Sequence, residues 1–456
     1  MVTNLVNIIR IIIFKYFIYL NCVVRRKLYF YRKFWIMKVY KFGGASVRDA
    51  AGIRNLANIV SHEKDNLVIV VSALGKTTNA LEKVLKAWIS GAGNYFTILD
   101  EIYTGHLSVI TDLFGESSET RGKIDVSFAI LREYFLTSPK EDYDFEYDQV
   151  VSYGEIWSTI IVAEYLKKNF KDVEWCDLRE TLLTDDRFRD ANVLWSESAK
   201  RVQSIFDFRK KRIYVTQGFI GGTVAGHTTT LGREGSDYTA AILANMLDAE
   251  SVVVWKDVPG ILNADPKWFP DAHKLDEISY KEAVEMSFSG AKVIHPKTIK
   301  PLHNKNIPLY VRSFLTPEVN GTVIKADITL RKIEPVFIKK EDQILISILP
   351  RDFSFVMGDN LSRIFHSFIT HGIKVNLVEA SAVSIDVCVD DERTKVDILI
   401  DDLKTEFSAV YNENVEMLTI RHYTPDALVL ITKGREILLE QKTRSTVRFV
   451  VRKEHS

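Results

Sequence analysis

Cysteine is scarce in this chain. Its 456 residues include three, Cys22, Cys176 and Cys388, far apart and without a CxxC pair. That excludes a disulfide framework and a cysteine-ligated metal site. It fits a reduced, cytoplasmic compartment, with Cys176 and Cys388 as small core residues. Net charge is missing as well, with 60 Lys and Arg against 60 Asp and Glu. The balance is uneven along the chain. Residues 1–36 hold seven basic side chains and no acid, which leaves 53 basic against 60 acidic over 37–456. No basic face or polybasic tail points to nucleic acid or to a membrane surface, so neither is an expected partner. A long clean apolar run is also absent. Residues 8–24 are apolar, but Arg10 and Lys15 interrupt them and no small-residue cleavage site follows. This is neither the pattern of a signal peptide nor that of a membrane span. Met37 then opens a well-patterned strand, so residues 1–36 are read as an over-extended start.

What is present is an enzyme-sized composition, 46% hydrophobic and 26% charged, long enough for two or three domains. Short β-branched runs at 67–71, 173–176, 213–216, 251–255 and 307–311 alternate with helical patterns at 47–61, 79–89, 153–170, 238–247 and 279–290. The insert 95–139 reads as all helix. Strand–helix alternation predicts an α/β fold with a mostly parallel sheet covered on both faces, ending near Thr322. After Arg331 the order becomes βαββαβ, a ferredoxin-like module. A shorter set follows over 417–451 without its second helix. It is too small to stand alone and is expected to dock on the first module or on another subunit.

The chemistry gathers at glycine-rich turns. The run Gly232-Arg233-Glu234-Gly235-Ser236-Asp237-Tyr238-Thr239 leads into a helix, which aims backbone N–H groups and the positive end of the helix dipole at one spot. Arg233 suits a carboxylate or a phosphate, and Asp237 suits a metal or a lysine. Taken alone, the run is also compatible with a tight loop and an ordinary N-cap. Lys41-Phe42-Gly43-Gly44 ends the first strand, where open α/β sheets bind ligands, and its glycines permit close approach to a phosphate. It is not a Walker A loop. Ser72 to Asn79 forms a second hydroxyl-rich turn, in which Thr77 or Thr78 is a natural N-cap. Glu155 in Ser152-Tyr153-Gly154-Glu155 is either a helix-dipole residue or a partner for an amine. Trp255-Lys256-Asp257 ends another strand, and Lys292 is within reach of a nucleotide phosphate. No Ser-His-Asp set and no His/Cys cluster accompanies them. Two lysines, an arginine and two carboxylates fit phosphoryl transfer, where catalysis is mostly positioning and charge stabilisation.

Taken in order, Lys41-Phe42-Gly43-Gly44, Val71-Ser72-Ala73 through Thr78-Asn79, Ser152 to Glu155, Gly232 to Thr239, Asp257-Val258-Pro259-Gly260-Ile261 and Lys292-Val293-Ile294-His295-Pro296 resemble the aspartate kinase family. The tail resembles that family's paired ACT regulatory modules. The resemblance implies an amino-acid kinase fold, a three-layer αβα sandwich, over 37–331. A first ACT module would cover 341–413. A second, shortened one would combine 332–340 with 414–456.

By position, the resemblance implies a phosphoryl-transfer pair, Lys41 and Asp237. It implies an aspartate pocket of Ser72, Thr78, Glu155, Arg233, Gly235 and Ser236. Arg233 would take the α-carboxylate and Glu155 the ammonium. The ATP side would be Lys41, Gly43, Gly44, Lys256, Asp257, Leu262, Lys267, Lys292 and Val293. ATP with Mg2+, L-aspartate, a lysine or threonine effector at the ACT modules and a homodimer or larger homo-oligomer are the implied partners, and no residue is assigned as a dedicated metal ligand. Glu234 stands where the family more usually has glycine, Lys256 where threonine is frequent, Leu262 where tyrosine is common, and Lys267 where arginine is common. A kinase for glutamate or acetylglutamate is disfavoured by Glu155, since an acylated amine has no use for a carboxylate partner. A sensor with an inactive kinase domain is disfavoured by Lys41, Arg233 and Asp237.

Overall fold

The computed structural model describes residues 36–139, 142–291, 294–326, 328, 334–352 and 354–453. The chain divides into two compact units. One comprises residues up to Pro259 together with Lys297–Ala326, and the other Gly260–Pro296 together with Asp327–Ser456. The segment 260–296, expected within the catalytic domain, therefore clusters with the C-terminal part.

The first unit begins with β1 (Met37–Phe42), α1 (Ala50–Ser61), β2 (Asn66–Val71), α2 (Thr77–Ile89), α3 (Tyr95–Phe114), α4 (Glu119–Tyr134), α5 (Tyr143–Val151) and α6 (Tyr153–Asn169). It continues with β3 (Val173–Cys176), α7 (Trp195–Ile205), β4 (Ile213–Gln217), β5 (Ile220–Gly222), β6 (Thr228–Thr230), α8 (Gly235–Met246) and β7 (Ser251–Lys256). Within this unit the sheet runs β3-β4-β2-β1-β7. All of these pairings are parallel. β2 is buried along almost its whole length, as a strand covered on both faces must be. Phe42 sits opposite both Val71 and Trp255, and Val71 opposite Gln217. The carboxyl ends of four strands thus finish level. Helix α1 starts later than expected, at Ala50, because Asp49 takes the N–H of Gly52 as an N-cap. Neither Thr77 nor Thr78 caps α2. The Thr77 hydroxyl instead donates to the Leu74 carbonyl at 2.7 Å. The helical insert packs its apolar side on α6, where Phe128 stacks on Trp157 with ring centroids 3.6 Å apart.

The chain next forms β8 (Glu277–Ser279) and α9 (Tyr280–Phe288) in the second unit. Then come α10 (Pro296–Lys305), β9 (Leu309–Ser313) and β10 (Thr322–Lys325). Of these, β9 adds in parallel to β7 and β10 pairs antiparallel with β9.

The rest of the second unit is β11 (Val336–Pro350), α11 (Asp359–Thr370), β12 (Val375–Ala380), β13 (Ile385–Asp390), α12 (Arg393–Leu403), β14 (Phe407–Arg421), α13 (Pro425–Thr432), β15 (Ile437–Lys442) and β16 (Thr446–Arg452). Its sheet order is β12-β13-β11-β14-β16-β15, antiparallel throughout. These are ferredoxin-like modules fused edge to edge. The two long strands pass through both modules. Val336 to Lys340 pairs with Arg421 to Met417, and after a bulge Leu345 to Pro350 pairs with Asn412 to Phe407. Ile344, Ile346 and Ile348 point to the helices α11 and α12, while Leu345 points to the other face with Met417 and Val450. That second face curls inward, so that Gln441 of β15 donates to the Val378 carbonyl of β12 at 2.8 Å. The segment 260–272 belongs here because it is apolar. Phe269 stacks on Phe337 at 4.7 Å, beside Ala264 and Trp268.

Candidate active site

The level strand ends of the first unit place the predicted motifs side by side. Lys41, the second-last residue of β1, projects its ammonium to 2.7 Å from Asp237 Oδ1 in the first turn of α8. Lys256, the last residue of β7, lies 3.8 Å from Asp237 Oδ2. Asp237 is 4% exposed. Burial pushes its carboxyl up, but Lys41 and Lys256 outweigh burial and hold it below the ordinary carboxylate range.

Close backbone packing frames this pair. Gly43 leaves room beside Lys41, since a Cβ there would sit 3.4 Å from the ammonium nitrogen. Gly44 has no room for a side chain, because a Cβ would lie 2.6 Å from the Gly75 carbonyl oxygen and 2.8 Å from that of Ala73. The loops after β1 and β2 therefore touch backbone to backbone. Ser236 packs equally closely on Gly218, just past the end of β4, where a Cβ would come within 2.5 Å of the Ser236 Cβ. Gly235 abuts Phe219 in the same way, at 2.6 Å.

On the other side of Lys41 stands Glu155, in the first turn of α6 and 3% exposed. The Ala73 N–H donates to its Oε1 at 3.3 Å, and Oε2 has no hydrogen-bond partner among the described residues. Burial pushes the carboxyl up to about 8. The Ala73 N–H, the Thr78 side chain and the charge of Lys41 pull it down more weakly. Ser158, one turn further along α6, donates to the Ser72 carbonyl at 2.8 Å and fixes the β2 loop to this helix. A buried carboxylate with a raised pKa and an open oxygen is a site for a cationic group.

Arg233 is exposed, in a turn whose backbone is unusual. Gly232 has φ +76° and Glu234 φ +54°, and Glu234 is the N-cap of α8 without a side-chain cap bond. Asp257 is exposed at the end of β7. Leu262 and Lys267 fall in the second unit, where the Lys267 N–H is held by Asp265 at 3.0 Å. Lys292 and Val293 lie outside the described residues. Sequence reasoning missed the β5–β6 hairpin that carries the Arg233 turn, and the Asp148-Gln149 pair that anchors it. A three-residue strand of threonines gives no periodicity to detect.

The site joins the buried Lys41–Asp237 contact and a partly exposed Lys256 to a buried glutamate and an exposed arginine at one sheet edge. Clustered lysines at a sheet edge suit an anionic group. The model of the amino acid kinase family matches residues 37–313. Lysine-sensitive aspartokinase 3 of Escherichia coli is 32% identical over 386 residues, covering 83% of this chain and 84% of that protein. The chain belongs to the aspartokinases of the amino acid kinase family. Aspartokinase 2 of Arabidopsis thaliana is likewise 32% identical, over 77% of this chain and 66% of that one. By contrast, the chain spans 42% of the bifunctional aspartokinase/homoserine dehydrogenase 2 of the same plant. The structure of E. coli aspartokinase III in complex with aspartate and ADP superposes with a TM-score of 0.76 at 28% identity, over 91% of this chain and 96% of that one. The enzyme is an aspartate kinase: it transfers the γ-phosphoryl group of ATP to the β-carboxylate of L-aspartate, giving 4-phospho-L-aspartate, the first step towards lysine, threonine and methionine.

Proposed function

We propose that Lys41 and Asp237 form the phosphoryl-transfer pair of this aspartate kinase. The observation that carries this reading is their 2.7 Å contact at the carboxyl edge of the sheet, buried beside Glu155. Lys41 stabilises charge on the moving phosphoryl group, and Asp237 fixes Lys41. Arg233 takes the α-carboxylate of aspartate and Glu155 its ammonium, with Ser72, Thr78, Gly235 and Ser236 bordering the amino acid. The acceptor carboxylate is ionised at neutral pH, so no general base is needed. Gly43, Gly44, Lys256 and Asp257 line the ATP side.

The residues present suit Mg2+. Among the described residues no group of three His, Cys, Asp or Glu forms a dedicated cage, and the buried Asp237 carboxylate turns Oδ1 to Lys41 while its Oδ2 has only Lys256 at 3.8 Å. One carboxylate plus substrate phosphates is the usual protein share of a magnesium site. Asp237 would hold the ion, which offsets phosphate charge.

We further assign 37–331 to the catalytic domain by sequence, with 260–296 packing inside the second unit, 341–413 to the first ACT module and 332–340 with 414–456 to the second. The pairing of 336–340 with 417–421 supports that split. These modules are the place for an amino-acid effector, lysine ahead of threonine, because the E. coli relative is named lysine-sensitive and its structure is known with lysine and aspartate. A cytoplasmic homo-oligomer completes the reading, consistent with two free, buried thiols.

Hydroxamate trapping of the acyl phosphate tests the reading. Lys41→Met is expected to lower kcat by roughly 100- to 1,000-fold. It is chosen over Lys41→Ala because it fills the space beside Asp237. A variant that keeps its turnover sinks the assignment of Lys41.

A further inference from the structure

We propose that Asp148 and Gln149 are positioning residues, which hold the Arg233 turn in register with Glu155. The inference rests on the assignment of Arg233 and Glu155 to the aspartate pocket. Both residues sit in the last turn of α5, directly before α6 and Glu155. They grip the short strand β6, which leads to Gly232-Arg233. Asp148 Oδ1 accepts from the Thr230 hydroxyl at 2.6 Å, and its Oδ2 accepts from the Thr230 N–H at 2.8 Å and the Arg189 N–H at 2.9 Å. Gln149 pairs with Thr228 as a third strand would. Its Nε2 donates to the Thr228 carbonyl at 2.8 Å and its Oε1 accepts from the Thr228 N–H at 3.1 Å.

Asp148 and Thr230 are both fully buried. Burial pushes the Asp148 carboxyl up to about 6, against the pull of its three donors and of Arg189. At neutral pH the fold therefore keeps this charge at an energetic cost, which marks a residue retained for geometry rather than stability. Among the described residues β6 has a ladder only with the three-residue strand β5, plus one bond from the Ala191 N–H to the Thr230 carbonyl at 3.0 Å, so the Asp148 and Gln149 contacts add substantially to its anchoring. Three residues past Thr230, Arg233 is exposed. Its direction is set by the strand behind it.

Steady-state kinetics of the full chain test the clamp with Asp148→Asn, Thr230→Val, Thr230→Ser, Arg233→Ala and the Asp148→Asn/Arg233→Ala double variant. Asp148→Asn and Thr230→Val are expected to raise the KM for aspartate about tenfold, with the KM for ATP within about twofold of the parent. Thr230→Ser keeps the hydroxyl and is expected to stay near the parent. Because the clamp acts through Arg233, adding Asp148→Asn to Arg233→Ala is expected to change the KM for aspartate by less than about twofold. A full multiplicative effect there, or a fall in kcat with the KM for aspartate unmoved, overturns the proposal. If Arg233→Ala raises that KM while Thr230→Val does not, the clamp fails and the pocket assignment stands. If Arg233→Ala leaves it unchanged, both fall. Should Asp148→Asn fail to fold, the Thr230 pair decides alone.

Discussion

Glu155 is the residue whose environment speaks most directly to function. Its carboxyl is pushed up to about 8 by burial, so in the role proposed for it the group ionises on meeting an ammonium. The KM for aspartate is therefore expected to fall as pH rises from 6 to 8, and Glu155→Gln is expected to flatten that profile while raising the KM. A pH profile in the variant as steep as the parent's would remove Glu155 from that role. The same shift fixes a sign for stability. The folded pKa lies above the unfolded value of 4.5, so the group penalises the fold increasingly as pH rises from 4.5 through 8. Glu155→Gln should then melt above the parent at pH 8.5 and close to it at pH 4.5. Glu234 makes a second case at this scale. Its φ is +54°, in the left-handed region. A left-handed backbone costs a non-glycine residue about 1–2 kcal/mol, part of which glycine returns as unfolded-state entropy. Glu234→Gly is expected to raise stability by about 0.5–1 kcal/mol with kcat retained, as read by thermal melting. A lower melting temperature would show that the Glu234 side chain contributes more than its backbone costs.

Elements explain which parts of the site were readable before any coordinates. Strands β1, β2, β4 and β7 announced themselves as β-branched runs, and glycine turns at their ends marked the edge. Periodicity reports burial, and these strands are buried on both faces. The same logic located Lys41, Glu155 and Asp237, each next to a recognisable strand end or helix start. It failed for β5 and β6, whose residues Ile220–Gly222 and Thr228–Thr230 are too few to show a period. It failed also for 260–296, where Ala264 and Phe269 look like any buried segment yet pack on Phe337 and Leu418. Tertiary contact decides such a case, and it leaves no local mark. The paired loops after β1 and β2 give a prediction at this scale. Gly44→Ala forces a Cβ between two carbonyl oxygens, so it is expected to cost about 1–3 kcal/mol. Titration with ADP should show weaker binding, because the two loops can no longer close up. Unchanged melting and ADP affinity would mean that the contact relaxes freely.

At the scale of the whole molecule, the second unit joins chain segments far apart in sequence, and one ion cluster ties them. Arg421, at the end of β14, forks onto Glu282 of α9 at 2.7 and 2.8 Å, and His422 adds a third contact at 2.9 Å. Burial pushes the Glu282 carboxyl up, but Arg421 and His422 prevail and bring it to about 2. Its stabilising share is thus present above pH 4.5 and fades as pH falls towards 2. Arg421→Met strands a half-buried glutamate and is expected to cost about 3 kcal/mol at pH 7 and much less near pH 2. Equal losses at both pH values would show that Arg421 acts by packing alone. The two long strands β11 and β14 have a different consequence. The join between the two ferredoxin-like modules runs through the middle of a hydrogen-bonded ladder, at the bulge between Lys340 and Gln343. No linker exists there to cut or to flex. A tilt or twist imposed on one module must enter the other along the same two backbones, so the pair works as a single lever rather than as two hinged bodies.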